Sequence, residues 1–261
     1  MREPKKYLMV IANYKDSRQQ FFETYMSPRN KLYCQIHGYE YLEYTQDLPM
    51  FRGNHTWNKF KIVQQLIENG SLKDGDKLVH LDADMCIVKP ELEYPCDKSF
   101  SYSIDNANSQ CMGSYAMIVN DWSKHLVDMI LDEDRYQKYK DKITRHDHFG
   151  FYNSFWGDFR EQASFYSLVS CKRHSSISYF DTETYGKNYG WYSDKDEPKY
   201  YSLEELHNNI TVLGPEWNTT IVEGEQNDCT FLINKVEKKD IIIRHWAAGI
   251  PWNPEYFDIK K

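Results

Sequence analysis

Apolar residues arrive in two rhythms along this chain, and the alternation between them predicts its elements. Tyr7–Asn13 (Y-L-M-V-I-A-N) is almost continuously apolar, the pattern of a strand covered on both faces in a parallel sheet. The rhythm breaks at Asn13-Tyr14-Lys15-Asp16. Ser17 is placed to cap a helix through Phe21, Phe22 and Tyr25, and Ser27-Pro28 starts a second, carrying Leu32, Tyr33 and Ile36 and stopping at Gly38. A strand, Tyr39–Tyr44, completes a βαβ unit. From Thr56 to about Asn69, Phe60, Val63, Leu66 and Ile67 form the inner stripe of a helix that ends at Gly70. Lys59 lies four and seven residues before Val63 and Leu66, so it points to the buried side.

The next strand opens with K-L-V-H-L and runs into Asp82-Ala83-Asp84. On an extended chain these two carboxylates share a face. At roughly 6–7 Å and an effective dielectric near 20 they repel by about 2.5 kcal/mol, so the pair calls for a cation. Further strands follow at Phe100–Ile104, ending at Asp105-Asn106, and at Gly113–Asn120. A helix with Trp122, Leu126, Met129 and Ile130 on one face comes next. A helix from Asp158 carries Phe159, Ala163, Tyr166 and Val169, and draws Glu161 or Gln162 inward. Thr211–Leu213 and Asp240–Arg244 are the last strands, the latter delivering His245. Such alternation predicts an α/β fold with a mixed, mainly parallel central sheet flanked by helices, ligands gathering at the carboxyl ends of its strands.

Composition narrows the function. The chain has 261 residues, 41% of them hydrophobic, and no segment approaches 18 consecutive apolar residues, so the expectation is a globular protein with no transmembrane segment, cytoplasmic or peripheral to a membrane. A net charge of -7 leaves nucleic acid without an electrostatic footprint. Six scattered cysteines form no C-x-x-C pair, which argues against a zinc site and a disulfide framework. Aromatic residues reach 16%, and eight of them fall in the polar stretch 179–201, a surface suited to sugars and bases. His146-Asp147-His148 reads as a solvated loop.

Taken in order, Trp57-Asn58-Lys59, the D-x-D motif Asp82-Ala83-Asp84, Gly113-Ser114 in a strand ending Met117-Ile118-Val119-Asn120, Glu161-Gln162-Ala163, Trp217-Asn218, and His245 with Gly249 and Pro251-Trp252 resemble a nucleotide-sugar glycosyltransferase of the GT-A (Rossmann-like) fold. The likeness is to the retaining galactosyl-, mannosyl- and xylosyltransferase families and to glycogenin-like enzymes. It departs at Cys111-Met112-Gly113-Ser114, where the family usually has Asn-Ser/Thr-Gly, and at Ile250, where a Lys is common.

The resemblance implies one GT-A domain over residues 1–261, with nucleotide binding in about 1–120 and acceptor binding in about 121–261. It implies a nucleoside-diphosphate sugar donor, UDP-sugar favoured and GDP-sugar the alternative, a glycan or glycolipid acceptor, and Mn²⁺ or Mg²⁺ held by Asp82, Asp84 and His245. Asn13 and Tyr14 would receive the base, Lys59 a phosphate, Asp82 the metal or the ribose, Asp105 the donor-sugar hydroxyls, and Glu161 or Gln162 would stand beside the anomeric carbon. Trp217 and the aromatic stretch would face the acceptor. Two rivals fit less well: a haloacid-dehalogenase-type phosphatase needs a later strand ending in an adjacent acidic pair, and no Asp-Asp occurs in the chain, while a sugar-nucleotide nucleotidyltransferase needs a Gly-rich basic loop after the first strand, where this chain has Tyr14-Lys15-Asp16-Ser17.

Overall fold

The computed structural model describes residues 2–106, 110–140, 160–169, 200–220 and 236–246. Strand β1 (Lys6–Ile11) is followed by helix α1 (Ser17–Phe21), a π-helical turn (Phe22–Met26), helix α2 (Ser27–His37) and strand β2 (Tyr39–Tyr44). Asp16, not Ser17, caps α1, its carboxylate accepting from the Arg18 N–H. The two expected helices are one helical run, because Met26 and Ser27 keep helical backbone angles where the π turn passes into α2. Helix α2 presents a different face from the one its apolar spacing predicts. It buries Ser27, Asn30, Tyr33 and Cys34, and leaves Leu32 and Ile36 exposed. Gly38, at φ 71°, closes it in the left-handed conformation that a glycine adopts without strain.

Helix α3 (Asn58–Glu68) precedes strand β3 (Lys77–Asp82) and the short strand β4 (Met85–Ile87). Strands β5 (Phe100–Ile104) and β6 (Gln110–Ile118) are followed by helix α4 (Asp121–Ile130), opened by a capping box between Asn120 and Ser123. Helices α5 (Glu133–Tyr139), α6 (Glu161–Val169) and α7 (Leu203–Asn209) precede strands β7 (Ile210–Leu213) and β8 (Ile243–His245). The expected start of α6 at Asp158 and Phe159, the His146–His148 loop, residues 179–199, and Gly249 with Pro251-Trp252 lie outside the described residues. No helix among the described residues is long and apolar enough to cross a membrane.

Six strands form the central sheet in the order β2-β1-β3-β6-β5-β7. β1 pairs in parallel with β2 and β3, and β5 with β7, while β6 runs against both β3 and β5. Five strands therefore point one way, and their carboxyl ends share an edge. The period of two sorts side chains between two cores. Tyr7 and Met9 enter the cluster shared with α3, α4 and α6, whereas Leu8 and Val10 enter the one shared with α1, α2, β4 and β8.

The single strand expected from Lys77 onward is interrupted. β3 ends at Asp82, Ala83 and Asp84 form a turn, and β4 leaves the central sheet to pair antiparallel with β8. The two D-x-D carboxylates consequently do not sit on one face of an extended chain. Tight burial of Ala83, Met85, Cys86 and Ile87 against the α2 side favours the turn over continued pairing.

Candidate active site

His80 and Asp82 share the face of β3 that looks toward α3 and α6, and the packing there brings four polar side chains together. Lys59, delivered by α3 with 5% of its side chain exposed, places Nζ 2.7 Å from Asp82 Oδ1 and 3.0 Å from Oδ2. The same ammonium donates to the Met112 carbonyl at 3.0 Å and lies 3.5 Å from Glu161 Oε1. His80 Nε2 donates to Asp82 Oδ1 at 2.9 Å. Burial alone would strip Lys59 of its proton, but the charges of Asp82 and Glu161 outweigh it and raise its pKa. Burial likewise opposes ionisation of Asp82, and Lys59 and His80 overcome it, holding the carboxyl well below the usual range. His80 stays neutral because burial dominates its balance.

A slip in the β5–β6 ladder makes room for this cluster. Tyr102 faces Tyr115, yet Ser103 faces Cys111, so Met112, Gly113 and Ser114 bulge out of the pairing with β5. The bulge frees both backbone groups of Met112: the carbonyl goes to Lys59 and the N–H to Gln162 Oε1 at 3.1 Å. At Gly113 a Cβ would sit 2.8 Å from Met85 Cε and 3.1 Å from Asp82 Oδ2, so the close approach of Asp82 requires a residue without one. Helix α6 thus offers two different groups. Gln162 is tied to the bulge, whereas Glu161, 4% exposed, leaves Oε2 without a hydrogen-bond partner.

Asp84 belongs to the other side of the turn. β8 sets His245 opposite Met85, and the Trp246 N–H donates to the Asp84 carbonyl at 2.9 Å. His245 Nε2 stands 3.6 Å from Asp84 Oδ1, too far for a hydrogen bond, and that buried oxygen has no partner. Asn218 Oδ1 accepts from His245 Nδ1 at 2.8 Å, which fixes the tautomer and points Nε2 at Asp84. Burial disfavours charge on His245, but Asp84 prevails and pushes its pKa well above the ordinary value, so a cation taken up beside Asp84 would displace the Nε2 proton. An orphaned carboxylate oxygen facing an oriented imidazole suits a divalent cation of the Mn²⁺ or Mg²⁺ type. Among the described residues, however, no three His, Cys, Asp or Glu side chains stand close enough to enclose a metal. Asp82, expected as a further ligand, has its oxygens engaged by Lys59 and His80.

The remaining expected residues fall along the same edge. Asn13 follows β1 and gives its carboxamide N–H to Gln46 O and Asp47 Oδ1, at 3.0 and 2.8 Å. Tyr14 is half-buried, and its pKa is raised by burial and then by Asp84 and Asp82, which places the phenol in the field of the D-x-D turn. Asp105 follows β5, half-buried at the same edge. Trp217 instead is buried, edge-on to Tyr94 with centroids 5.3 Å apart, and so turns its ring to the core. Sequence reasoning gave no role to His80, although its position two residues before Asp82 on one strand face was a signal. The bulge at Met112–Ser114 carried none.

No family model matches the chain, and no curated protein does. Among solved structures, a glycosyltransferase involved in glycosylation of the major capsid of PBCV-1 matches over 94% of both chains, with a TM-score of 0.50 and 12% identity. The glycosyltransferase GlyE of Streptococcus pneumoniae matches 51% of this chain and 40% of its own, at 14% identity and a TM-score of 0.30. A mutant Drosophila β1,4-galactosyltransferase 7, in complex with manganese, UDP-Gal and xylobiose, matches 79% of this chain and 81% of its own, at 13% identity and a TM-score of 0.33. The likeness to the PBCV-1 enzyme is one of fold: this chain has the α/β architecture of a GT-A glycosyltransferase, with its D-x-D turn at the carboxyl edge of the sheet.

Proposed function

We propose that this protein is a metal-dependent glycosyltransferase that moves a sugar from a nucleoside-diphosphate sugar, UDP-sugar in preference to GDP-sugar, to a glycan or glycolipid acceptor with retention of configuration. The observation that carries it is the pair formed by Asp84 Oδ1, which accepts no hydrogen bond, and the oriented His245 Nε2 3.6 Å away, at the strand edge of a GT-A architecture. Asp84 and His245 would hold Mn²⁺ or Mg²⁺. When bound, the cation supplies Lewis-acid neutralisation of the charge that builds on a leaving diphosphate.

The chain's own groups do the rest. Asn13 and Tyr14, beyond the end of β1, would seat the base, and Asp105 the donor-sugar hydroxyls. Asp82, pinned by Lys59 and His80, is an anionic acceptor fixed in place for ribose or sugar hydroxyls. Lys59 is a positioning group here, since its ammonium is used within the protein. Glu161 is the better candidate to face the anomeric carbon, where a developing oxocarbenium ion needs a nearby negative or nucleophilic oxygen. Its Oε2 is uncommitted, while the oxygen of Gln162 holds the Met112 bulge. Residues 1–120 would form the donor half and 121–261 the acceptor half.

Thermal stabilisation by a panel of UDP-, GDP- and dTDP-sugars, with and without Mn²⁺, tests the proposal. A metal-dependent shift with one nucleotide, abolished in Asp84→Ala, is expected. No shift with any donor, or one that survives Asp84→Ala, refutes it.

A further inference from the structure

A diphosphate brought to this edge meets Asp82 and Asp84, and the buried ammonium beside Asp82 is already spent. Lys59 gives its ammonium to Asp82, the Met112 carbonyl and Glu161. Lys15 turns to Asp47, at 2.7 Å. We propose that Arg18, stacked on Tyr14 at the mouth of the site, is the residue that grips the donor's diphosphate, exchanging its contact with Asp16 for the phosphates. The proposal rests on the glycosyltransferase reading and adds a binding residue to it.

Three contacts place Arg18 at the D-x-D turn. Ile11 at the end of β1 pairs with Asp82, so the chain from Ala12 to Tyr14 runs past the edge on which Asp82-Ala83-Asp84 turns. The Arg18 guanidinium lies 4.7 Å from the centroid of the Tyr14 ring. One helical turn later on the same side of α1, Phe21 packs on Trp246 with centroids 6.4 Å apart, and the Trp246 N–H is the group bonded to the Asp84 carbonyl. α1 is therefore docked on the residue that follows His245. The pairing with Asp16 raises the pKa of Arg18, and Tyr14 and Asp84 add to the rise, as expected for a guanidinium within the field of the turn.

The present partner of Arg18 is easily exchanged. Arg18 Nε and Nη2 bond the two Asp16 oxygens at 2.9 and 2.7 Å, with about half of each side chain in solvent. Exposed ion pairs of this kind contribute little. A guanidinium offers the same planar fork to phosphate oxygens, and stacking on Tyr14 limits its loss of freedom on binding. Asp16 accordingly acts as a competitor for the diphosphate.

Calorimetric titration of wild-type, R18Q, D16N and the double variant with UDP and GDP, and with uridine and guanosine as controls, all in MnCl₂, tests this. R18Q should weaken binding of whichever diphosphate the wild type takes by about 5- to 10-fold while leaving the nucleoside unaffected. D16N, which retains a good helix cap, should tighten the diphosphate by about 2-fold through release of Arg18. In the R18Q background D16N should have no effect. Unchanged diphosphate affinity in R18Q, or a D16N gain that persists without Arg18, overturns the role of Arg18 and leaves the glycosyltransferase reading standing. A wild type that binds neither diphosphate overturns that reading, and the proposal with it.

Discussion

Replacing Lys59 by Met removes the one ammonium that two carboxylates and a carbonyl share. At 2.7 Å and an effective dielectric near 20, the attraction between Lys59 and Asp82 is about 6 kcal/mol, and that to Glu161 at 3.5 Å about 5 kcal/mol. Neither figure is a net contribution, because desolvation of the ions cancels much of it. Asp82 keeps 35% of its side chain in solvent and recovers hydration when Lys59 is lost, whereas Glu161, at 6%, cannot. The cost is therefore set mostly by Glu161 and by the stranded Met112 carbonyl. Breaking a buried pair typically destabilises by 3–5 kcal/mol, and allowing for the exposure of Asp82 we expect about 3 kcal/mol, a fall in Tm of about 6–12 °C. Urea and thermal unfolding of K59M, E161Q and the double variant measure it. Neutralising Glu161 should recover at least about 1 kcal/mol of the K59M loss. A K59M fall under about 2 °C, or strictly additive losses in the double variant, would show that the ammonium does not bridge the two carboxylates.

Gly113→Ala should impair donor binding more than folding. Its new Cβ meets a Met85 methyl that can swing away and an Asp82 oxygen that Lys59 and His80 hold in place, so a loss of about 1–2 kcal/mol in stability should accompany a larger fall in nucleotide-sugar affinity; unchanged affinity by calorimetry would contradict it. At the opposite edge of the sheet, burial would raise the pKa of Glu93, but Lys77, Tyr39 and Lys6 outweigh it and lower the pKa from 4.5 to about 2. A depressed folded-state pKa contributes stability that is complete above pH 4.5 and lost as pH falls toward 2. Because Glu93 is 35% exposed, screening reduces this to about 1 kcal/mol. Glu93→Gln should lose that amount at neutral pH and flatten the acid limb of the stability curve in urea titrations between pH 4.5 and 2.

The inward or outward placement of several candidate side chains was readable from short stretches of chain, and the departures have physical causes. Lys59 points inward because helical spacing alone sets its phase against Val63 and Leu66, and the structure buries it there. Helix α2 keeps Tyr33 inward as its spacing predicts, but buries Asn30 and Cys34 in place of Leu32 and Ile36, because the face that meets the core is chosen by its neighbours and not by the helix alone. The resemblance turns Trp217 toward an acceptor, whereas its ring is buried edge-on to Tyr94, a contact between segments far apart in the chain.

The amino-acid order by itself determined the alternation of strands and helices, the placement of Asp82 and Asp84 after an apolar strand, and an inward cation on the preceding helix. These follow from interactions within a few residues, where the periods of 2 and 3.6 operate. Only the tertiary structure decided that the chain turns at Ala83-Asp84, sending Asp82 to Lys59, His80 and Glu161 and Asp84 to His245. Only it placed the slip in β6 that gives Met112 to Lys59 and Gln162. Those outcomes depend on which distant strand offers its hydrogen bonds and which core has space for a side chain, and neither is encoded in any single segment.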